Sequence, residues 1–348
     1  MPLFAAKELA CVETISALAY CNPFRAERIA MERAALRSEF DEQNADWNVR
    51  VGGEAQHPNV AAILGRCHDL LESCRTKLQA GAAVRPTEID GYEDLLLFVI
   101  YHHHRDELDK MLATGRPSAT TVYQAMLREL RHYAPLWPRL AQLEGELPHL
   151  FAGFVQIRRA FYNIYEFIVG VSQSAVALRA AVWESIFTHD MRRYRQVMFQ
   201  HLGDYATLVI GPSGTGQELV ARAIGLSRYV PFDPKSAEAT VASEDAFFPV
   251  SLAAMSPTLV ESELFGHVRG AFTGAVVERK GWFETCPDTG AVFLDEIGEL
   301  EPSIQVKLLR TLQSREFSRL GESRVRRFHG KIIAASKAER GQEEAEEV

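Results

Sequence analysis

The sequence predicts two parts of different fold class, an all-helical first half and an α/β second half built on a parallel sheet. Up to about residue 168, apolar residues recur every three to four positions, which is the spacing of one face of a helix. From about residue 200, short β-branched runs alternate with helical stretches. Because an alternating order of strands and helices is typical of a parallel sheet with helices on both faces, we expect that architecture here.

Two segments of the first half show the helical pattern most clearly. Their apolar residues each fall on one face: Val60, Ile63, Leu64, Cys67, Leu71 and Cys74 in one, and Val122, Met126, Leu127, Leu130 and Tyr133 in the other. Loops are predicted where glycine and proline cluster, at Gly52-Gly53, around Pro58, at 81–86 and at 115–117.

The second half is predicted to contain strands at 206–210, 247–252, 291–294 and 331–335, with a helix at 218–226. Each strand is a short apolar run, as expected where both faces of a sheet are buried. The acidic segment 339–348 predicts a frayed tail.

The composition is that of a globular protein, with 47% hydrophobic and 24% charged residues. The formal net charge of −8 argues against a surface that grips nucleic acid throughout, because phosphate neutralisation requires an excess of Lys and Arg. The longest strongly apolar run, 95–101, is much shorter than the ~20 residues that cross a bilayer. The N-terminus lacks a signal-peptide pattern and the five cysteines lack C-x-x-C spacing, so we expect a cytoplasmic protein with reduced thiols and no membrane partner.

A glycine-rich loop follows the first predicted strand of the second half and leads into the helix. Its residues are Gly211, Pro212, Ser213, Gly214, Thr215, Gly216, Gln217 and Glu218. Glycines allow backbone N–H groups to approach phosphate oxygens closely, and the N-terminus of the helix adds partial positive charge. The spacing and the strand–loop–helix context are those of a P-loop, which predicts nucleotide binding by these residues.

Gln217 stands where a P-loop normally carries the lysine that reaches the β- and γ-phosphates. Glutamine donates only a neutral hydrogen bond, worth ~1 kcal/mol, whereas a bond between charged groups contributes ~1.5–3 kcal/mol. Binding through the backbone is therefore expected to survive better than stabilisation of the transition state, which relies on that charge.

The predicted strand at 291–294 ends in two carboxylates, Asp295 and Glu296. At the C-terminal edge of a parallel sheet, Asp295 would face the phosphates and hold Mg²⁺, and Glu296 would activate the attacking water. An apolar run that ends in Asp-Glu is common by itself, but downstream of a P-loop it indicates a nucleotide-hydrolysing fold.

Between these two motifs lies a second glycine-rich loop, formed by Gly270, Ala271, Phe272, Thr273, Gly274 and Ala275. These six residues are identical to the GAFTGA loop of the AAA+ domain in sigma-54-dependent transcription activators, the bacterial enhancer-binding proteins. The resemblance includes Glu-Leu-Phe-Gly-His before the loop and continues at 295–300, 305–313, 319–322 and 333–336. It begins weakly near residue 170 and so covers about half of the chain.

The resemblance implies an AAA+ core that binds ATP and Mg²⁺, assembles into a homo-oligomeric ring and remodels sigma-54 RNA polymerase through the loop at 270–275. In that loop, glycines would serve as hinges, Phe272 as an exposed apolar contact and Thr273 as a polar one. By position, residues 1–168 would be a regulatory domain, 169–338 the AAA+ sigma-54-interaction domain and 339–348 an acidic tail. The stretch 229–248 is longer than is usual in the family.

The resemblance also implies that several family elements would follow residue 338: the arginine fingers, a fifth sheet strand, the helical lid and the DNA-binding helix-turn-helix. We therefore expect an incomplete core and no DNA-binding domain in this chain. Without a fifth strand, the strand at 206–210 would be an exposed edge, which predicts marginal stability or aggregation.

Three residues of the nucleotide site depart from the family pattern. Gln217 replaces the P-loop lysine, Ser251 replaces an asparagine that holds the Walker B glutamate, and Lys337 replaces a polar residue that reads the γ-phosphate. Three hypotheses remain open: an ATP-hydrolysing regulator, a non-hydrolysing protein that keeps the sigma-54 contact, and a sensor whose helical half has the main role. For turnover itself, Gln217 and the missing arginine fingers favour the second.

A basic run lies near the end of the chain, at Arg315, Arg319, Arg324, Arg326, Arg327 and Lys331. It is interpreted either as a solvated surface or as a contact for the ring pore or the polymerase.

Overall fold

The computed structural model describes residues 2–44, 57–82, 84–133, 140–236, 246–252 and 255–337. The chain divides into two compact units. Unit 1 comprises the described residues of Met1–Tyr165, Val169–Gln196 and Val230–Val241, and unit 2 those of Glu166–Ile168, Val197–Tyr229 and Ala242–Val348. This division differs from the predicted domain limits, since unit 1 includes residues 169–196 and a segment from the second half of the chain. The predicted loop at Gly52-Gly53 and the acidic tail at 339–348 lie outside the described residues.

Unit 1 is built from helices, as the apolar periodicity predicts. They are α1 (Ala6–Ala19), α2 (Glu27–Leu36), α3 (Pro58–Gln79), α4 (Pro86–His103), α5 (Arg105–Thr114), α6 (Ala119–Tyr133), α7 (Leu140–Phe167, whose end enters unit 2), α8 (Gln173–Phe187) and α9 (Met191–Gln196). The predicted apolar faces of α3 and α6 are buried at every one of their positions. Pro58 opens α3 rather than lying in a loop, because the missing N–H of a proline is tolerated in the first helical turn.

The segment 230–236 belongs to unit 1 although it follows the phosphate loop in sequence. Its Phe232 is buried, with ring centroids 5.2 Å from Tyr123 and 4.5 Å from Phe151. This segment belongs to the stretch 229–248, which is longer than usual for the family. None of the described helices combines the length and the apolar character required to cross a membrane.

Unit 2 is an α/β fold around a parallel sheet. Its elements are β1 (Thr207–Ile210), α10 (Gln217–Gly225), β2 (Phe247–Ser251), α11 (Pro257–Phe265), β3 (Gly266–His267), β4 (Arg279–Lys280), α12 (Trp282–Thr285), β5 (Ala291–Asp295), α13 (Pro302–Ser314), β6 (Glu316–Phe317), β7 (Arg326–Arg327) and β8 (Lys331–Ser336). Four strands pair in parallel in the order β1-β8-β5-β2. All four predicted strands and the predicted helix are confirmed, each within one or two residues of its expected bounds.

Helices cover both faces of this sheet. Side chains alternate along each buried strand, so such a strand presents apolar residues to both layers of helices. Val292 and Leu294 of β5 point into a core shared with α11, α12 and α13. On the opposite face, a Cβ at Gly225 of α10 would lie 2.8 Å from Phe247 and 2.9 Å from Ala291, so only glycine allows α10 to approach this closely. The predicted fold class, a parallel sheet between helices preceded by a helical region, is confirmed.

The strand order brings the candidate site residues to one edge of the sheet, where the carboxyl ends of parallel strands meet. Ser251 at the end of β2 lies opposite Asp295 at the end of β5, and Ile210 at the end of β1 lies opposite Ser336 at the end of β8. Within the described strands β1 is an edge, and its Leu208 and Ile210 are 57% and 63% exposed.

Candidate nucleotide site and partner loop

The phosphate loop of unit 2 has the backbone shape that its glycines predict. It connects the end of β1 to Gln217, the first residue of α10. Gly214 and Gly216 have positive φ angles of 81° and 91°, and a Cβ at Gly214 would meet no atom within 4 Å. Thr215 donates from its hydroxyl to the Pro212 carbonyl at 2.7 Å, which closes the turn. An open, left-handed turn that leads into a helix N-terminus suits a phosphate group, because the first N–H groups of a helix have no intrahelical acceptors.

The Gln217 side chain is engaged inside the fold. Its Nε2 donates to the carbonyl of Val209 at 3.3 Å and to that of Ser336 at 3.0 Å. The backbone N–H of Gly211 donates to the same Ser336 carbonyl at 3.3 Å. Gln217 thus ties the start of α10 to the ends of β1 and β8, and its amide is directed at carbonyl oxygens in this structure.

Glu218 occupies the P-loop position that usually carries a serine or threonine hydroxyl. Its carboxylate accepts from Arg222, one turn further along α10, with Oε1 2.8 Å from Nη2. A carboxylate is repelled by phosphate, so Glu218 suits nucleotide binding through its backbone N–H rather than through its side chain.

Asp295 and Glu296 end β5 in two different environments. Asp295, the last residue of β5, is half-buried, and no ion pair involves it within the described part of the chain. Glu296 adopts a left-handed backbone conformation, with φ of 56° and ψ of 45°. Non-glycine residues in this region are uncommon and concentrate at functional sites.

Lys337 directly follows β8 and forms an ion pair with the predicted water-activating residue. Its Nζ lies 2.9 Å from Oε1 of Glu296 and 3.4 Å from Oε1 of Glu299. The hydrogen bond to Glu296 raises the pKa of Lys337 above its ordinary value of 10.5, so the ammonium stays charged. The sequence singles out Lys337 as a departure from the family, but it contains no local signal for this contact because the two residues are 41 positions apart.

The loop at 270–275 forms a compact turn on unit 2. The N–H of Gly270 donates to the Ala275 carbonyl at 2.8 Å, and Gly270 and Gly274 have positive φ angles of 82° and 103°. Thr273 is exposed as expected, whereas Phe272 is half-buried, with its ring centroid 5.0 Å from that of His267. The apolar side chains that stand out beside the loop are instead Val276 and Val277, which are 72% and 69% exposed.

The base of this loop is fixed by His267 and Gly321. His267 is buried; its Nε2–H donates to the Val277 carbonyl at 2.9 Å, and its Nδ1 accepts from the Ser262 hydroxyl at 2.7 Å. Gly321 has a φ of +78°, and a Cβ there would lie 2.9 Å from the Cβ of Ala271. The contacts of His267 and Gly321 therefore fix the position of the loop at its base. A Cβ at Gly270 or Gly274, in contrast, would meet no atom within 4 Å.

Two members of the basic run near the end of the chain, Arg319 and Lys331, are buried, so the predicted solvated surface does not describe them. Arg319 is buried and makes a two-pronged contact with Glu284, at 2.7 and 2.6 Å, which also holds the pKa of Glu284 below its ordinary value. Arg326 joins Glu284 at 3.3 Å. Lys331 is buried and donates to backbone carbonyls, and burial lowers its pKa to about 8. The remaining exposed arginines are Arg324 and Arg327.

Within the described residues, a four-stranded parallel sheet with a phosphate loop after its edge strand β1 defines unit 2 as a P-loop nucleotide-binding fold. Residues 185–347 match the family model of the Sigma-54 interaction domain. The chain is 36% identical over 226 residues to the Nif-specific regulatory protein of Herbaspirillum seropedicae, covering 61% of this chain and 36% of that protein. It is 46% identical over 150 residues to the Nif-specific regulatory protein of Azotobacter vinelandii, covering 43% of this chain and 26% of that protein.

These matches cover about a third or less of the length of the two relatives. Among solved structures, NtrX from Brucella abortus aligns with a TM-score of 0.36 and 18% identity, over 72% of this chain and 49% of that chain. The predicted resemblance to sigma-54-dependent activators is confirmed over residues 185–347, the part of the chain that matches the Sigma-54 interaction domain.

Proposed function

We propose that this protein is a cytoplasmic sigma-54-interacting transcription regulator whose AAA+ core binds ATP with Mg²⁺ and acts on sigma-54 RNA polymerase. The observation that carries the proposal is the presence, in one unit, of an open phosphate loop and of a compact turn at 270–275, here called the partner loop, whose base is held by the His267–Val277 hydrogen bond. Residues 211–218 would bind the phosphates, and the loop at 270–275 would contact sigma-54. A homo-oligomeric ring is part of the proposal, because the family resemblance includes it.

The nucleotide site supports this function through its backbone and through Asp295. The left-handed turn at Gly214 and Gly216 leaves room for a phosphate group beside the N-terminus of α10. Asp295 ends β5, which β8 separates from β1 in the sheet, and its carboxylate has the oxygen ligands that Mg²⁺ prefers. Bound Mg²⁺ would neutralise phosphate charge, and Glu296 would then be the residue that orients and deprotonates water.

Binding of a fluorescent ATP analogue with Mg²⁺ tests this site directly. We expect saturable binding by the native chain, weakened at least about ten-fold by Asp295→Ala, because a charged contact contributes ~1.5–3 kcal/mol. Asp288→Ala removes an exposed aspartate of the same unit and serves as the control. Folded native protein that binds no analogue, or equal binding by both variants, would refute the nucleotide assignment.

Contact with sigma-54 is tested by measuring its affinity for the chain with and without nucleotide. We expect Phe272→Ala to weaken binding, since the side chain belongs to the loop and is anchored on His267. Leu309→Ala truncates a side chain of α13 that is 52% exposed, and it should leave the affinity unchanged. A chain that binds no sigma-54 in any nucleotide state would exclude the proposed regulator.

A second candidate is a protein that keeps the sigma-54 contact without hydrolysing ATP. The observation that favours it concerns Gln217. This residue brings no positive charge to the phosphate loop, and its amide is bonded to the Val209 and Ser336 carbonyls. In this case Gln217→Lys alone should bind nucleotide and still show negligible phosphate release. Rapid hydrolysis by that variant would eliminate the second candidate.

We propose a regulatory role for the helical first half, residues 1–168. Because unit 1 continues to residue 196, a fragment of residues 1–196 is the better test of independent folding. A cooperative thermal transition of that fragment would support a separate sensor, and an unfolded fragment would count against it.

A further inference from the structure

We propose that Lys337 is a positioning residue that holds Glu296 in an ion pair and thereby keeps the nucleotide site in a non-hydrolysing state. The inference rests on the proposed function, in which Glu296 activates water. It adds a device that regulates this site, carried by the residue that directly follows β8 rather than by the phosphate loop.

The backbone next to Lys337 is anchored to the phosphate loop. The carbonyl of Ser336 accepts from the Gly211 N–H at 3.3 Å and from Nε2 of Gln217 at 3.0 Å. The ammonium of Lys337 extends from this anchor to Oε1 of Glu296, 2.9 Å away. The lysine therefore bridges the two motifs of the site, with its backbone at the phosphate loop and its charge at the acidic pair.

The contact engages the atoms that catalysis would require. A general base must offer a carboxylate oxygen to a water molecule within hydrogen-bond distance. Here Oε1 of Glu296 instead accepts from the Lys337 ammonium in a charge-assisted hydrogen bond, so this oxygen is occupied by the lysine rather than offered to water. The left-handed backbone at Glu296, with φ of 56°, fixes the direction of its Cα–Cβ bond. The backbone is therefore restrained at Glu296 as well as next to Lys337.

Two carboxylates surround the ammonium, which favours a holding role over phosphate binding. Glu299, at the end of the short 3₁₀ turn Ile297–Glu299, places its Oε1 3.4 Å from Nζ. A lysine between two carboxylates has its charge compensated within the protein. Ser251, the residue at the family's usual holding position, lies on β2 opposite Asp295 and has a shorter side chain than asparagine. The side chain that holds Glu296 is therefore Lys337, which follows β8, and not a residue of β2; β8 and β2 are the two strands that pair with β5.

The test compares Lys337→Met, which removes the charge, with Lys337→Arg, which keeps it. Both are made in the full chain and again in the Gln217→Lys background, which supplies a phosphate-loop cation. The dissociation constant of a fluorescent ATP analogue with Mg²⁺ and the initial rate of phosphate release are measured separately. Lys307→Met is the matched control, because Lys307 forms an equivalent pair with Glu261 at 2.6 Å on the same unit.

We expect Lys337→Met to raise the rate of phosphate release in the Gln217→Lys background by at least about ten-fold, since a free general base contributes 10²–10⁴-fold. The dissociation constant should stay within about two-fold, Lys337→Arg should retain the low rate, and adding Glu296→Gln should abolish the gain. In ¹⁵N spectra of lysine-labelled native protein, an ion-paired Lys337 ammonium should give a resolved signal that disappears in Glu296→Gln, whereas Lys307→Met leaves it in place.

Two results would overturn the inference alone. Weaker analogue binding by Lys337→Met would identify the lysine as a substitute phosphate cation. An unchanged rate with unchanged binding would show that the pair does not restrain Glu296. Absence of analogue binding by the native chain and by Gln217→Lys would instead remove the proposed function, and the inference with it.

Discussion

The nucleotide site and the partner loop of unit 2 both keep the glycine-based backbone that their motifs predict, but they differ in what their side chains do. At the nucleotide site, Gln217 is bonded to two strand carbonyls and Glu296 to an ammonium. In the partner loop Thr273 is exposed, as is Val276 directly after it, and His267 makes its polar contacts at the base of the loop. The polar groups of the nucleotide site are thus bonded within the protein, whereas Thr273 of the partner loop is exposed to solvent.

This difference shows that backbone shape and side-chain chemistry are separable within one fold. A phosphate loop is defined by left-handed glycines and a helix N-terminus, which do not depend on the residue at position 217. Transition-state stabilisation depends on charges aimed at the phosphates, and those depend on single side chains. A site can therefore keep the shape required for binding while the groups required for turnover are engaged elsewhere.

The largest effect is expected on nucleotide affinity, from Gly216→Val. This substitution changes the backbone of the phosphate loop, which the hydrolysing and the non-hydrolysing candidate both require for binding. A β-branched residue at a φ of 91° is strained by ~1–3 kcal/mol and moves the amides that would face phosphate. We expect affinity for the ATP analogue to fall by about a hundred-fold, because lost contacts to charged groups add to the strain. Gly65→Ala, at an open helical position, is the control; equal losses from both would show that binding does not use this loop.

The next largest effect is expected beneath the partner loop, from Arg319→Met. The substitution leaves Glu284 without its two-pronged partner, so the free energy of unfolding should fall by about 2 kcal/mol, as when a charged group loses its hydrogen bonds. Arg324→Met removes an exposed arginine of the same segment and should change it by less than about 0.5 kcal/mol. Denaturation by urea measures both, and identical midpoints would contradict a supporting role for Arg319.

A smaller effect, confined to the partner loop, is expected from Gly321→Ala. The added Cβ would lie 2.9 Å from that of Ala271 at a left-handed position, which is unfavourable by ~1–2 kcal/mol. Sigma-54 affinity should fall by about five-fold, and affinity for the ATP analogue should not change. Gly81→Ala has a similar φ of +81° but open space, so it separates backbone strain from the contact with the loop. A loss of nucleotide affinity in Gly321→Ala would show that the two regions are not separable.

The smallest effect concerns pH. The hydrogen bond from Arg319 lowers the pKa of Glu284, so this pair stabilises the fold above the ordinary glutamate pKa of 4.5 and loses its contribution as the pH falls through the lowered value. The difference in unfolding free energy between the native chain and Arg319→Met should therefore shrink on acidification, by about 1 kcal/mol at most, because the Glu284 side chain is partly exposed. Urea denaturation at pH 7, 5 and 3.5 checks this, and a difference that does not vary with pH would contradict it.

Much of the fold was predictable because its signals are local. The strands of the sheet and helix α10 follow from short apolar runs and from the glycines between them, and the position of Val292 and Leu294 on one face follows from alternation along β5. The half-buried position of Phe272 was not predictable, since it depends on the His267 ring from another part of the segment. The inward roles of Arg319 and Lys331 were missed for the same reason.

The sequence by itself determined the phosphate loop, the acidic pair, the partner loop and the parallel sheet that carries them, because each is a pattern within a few consecutive residues. Only the tertiary structure decided which partners the side chains take. Lys337 meets Glu296, and Gln217 meets the Ser336 carbonyl, because β8 lies between β1 and β5 in the sheet. Strand order joins residues that are distant in sequence, and a charge acts on whatever lies within a few ångströms of it in space.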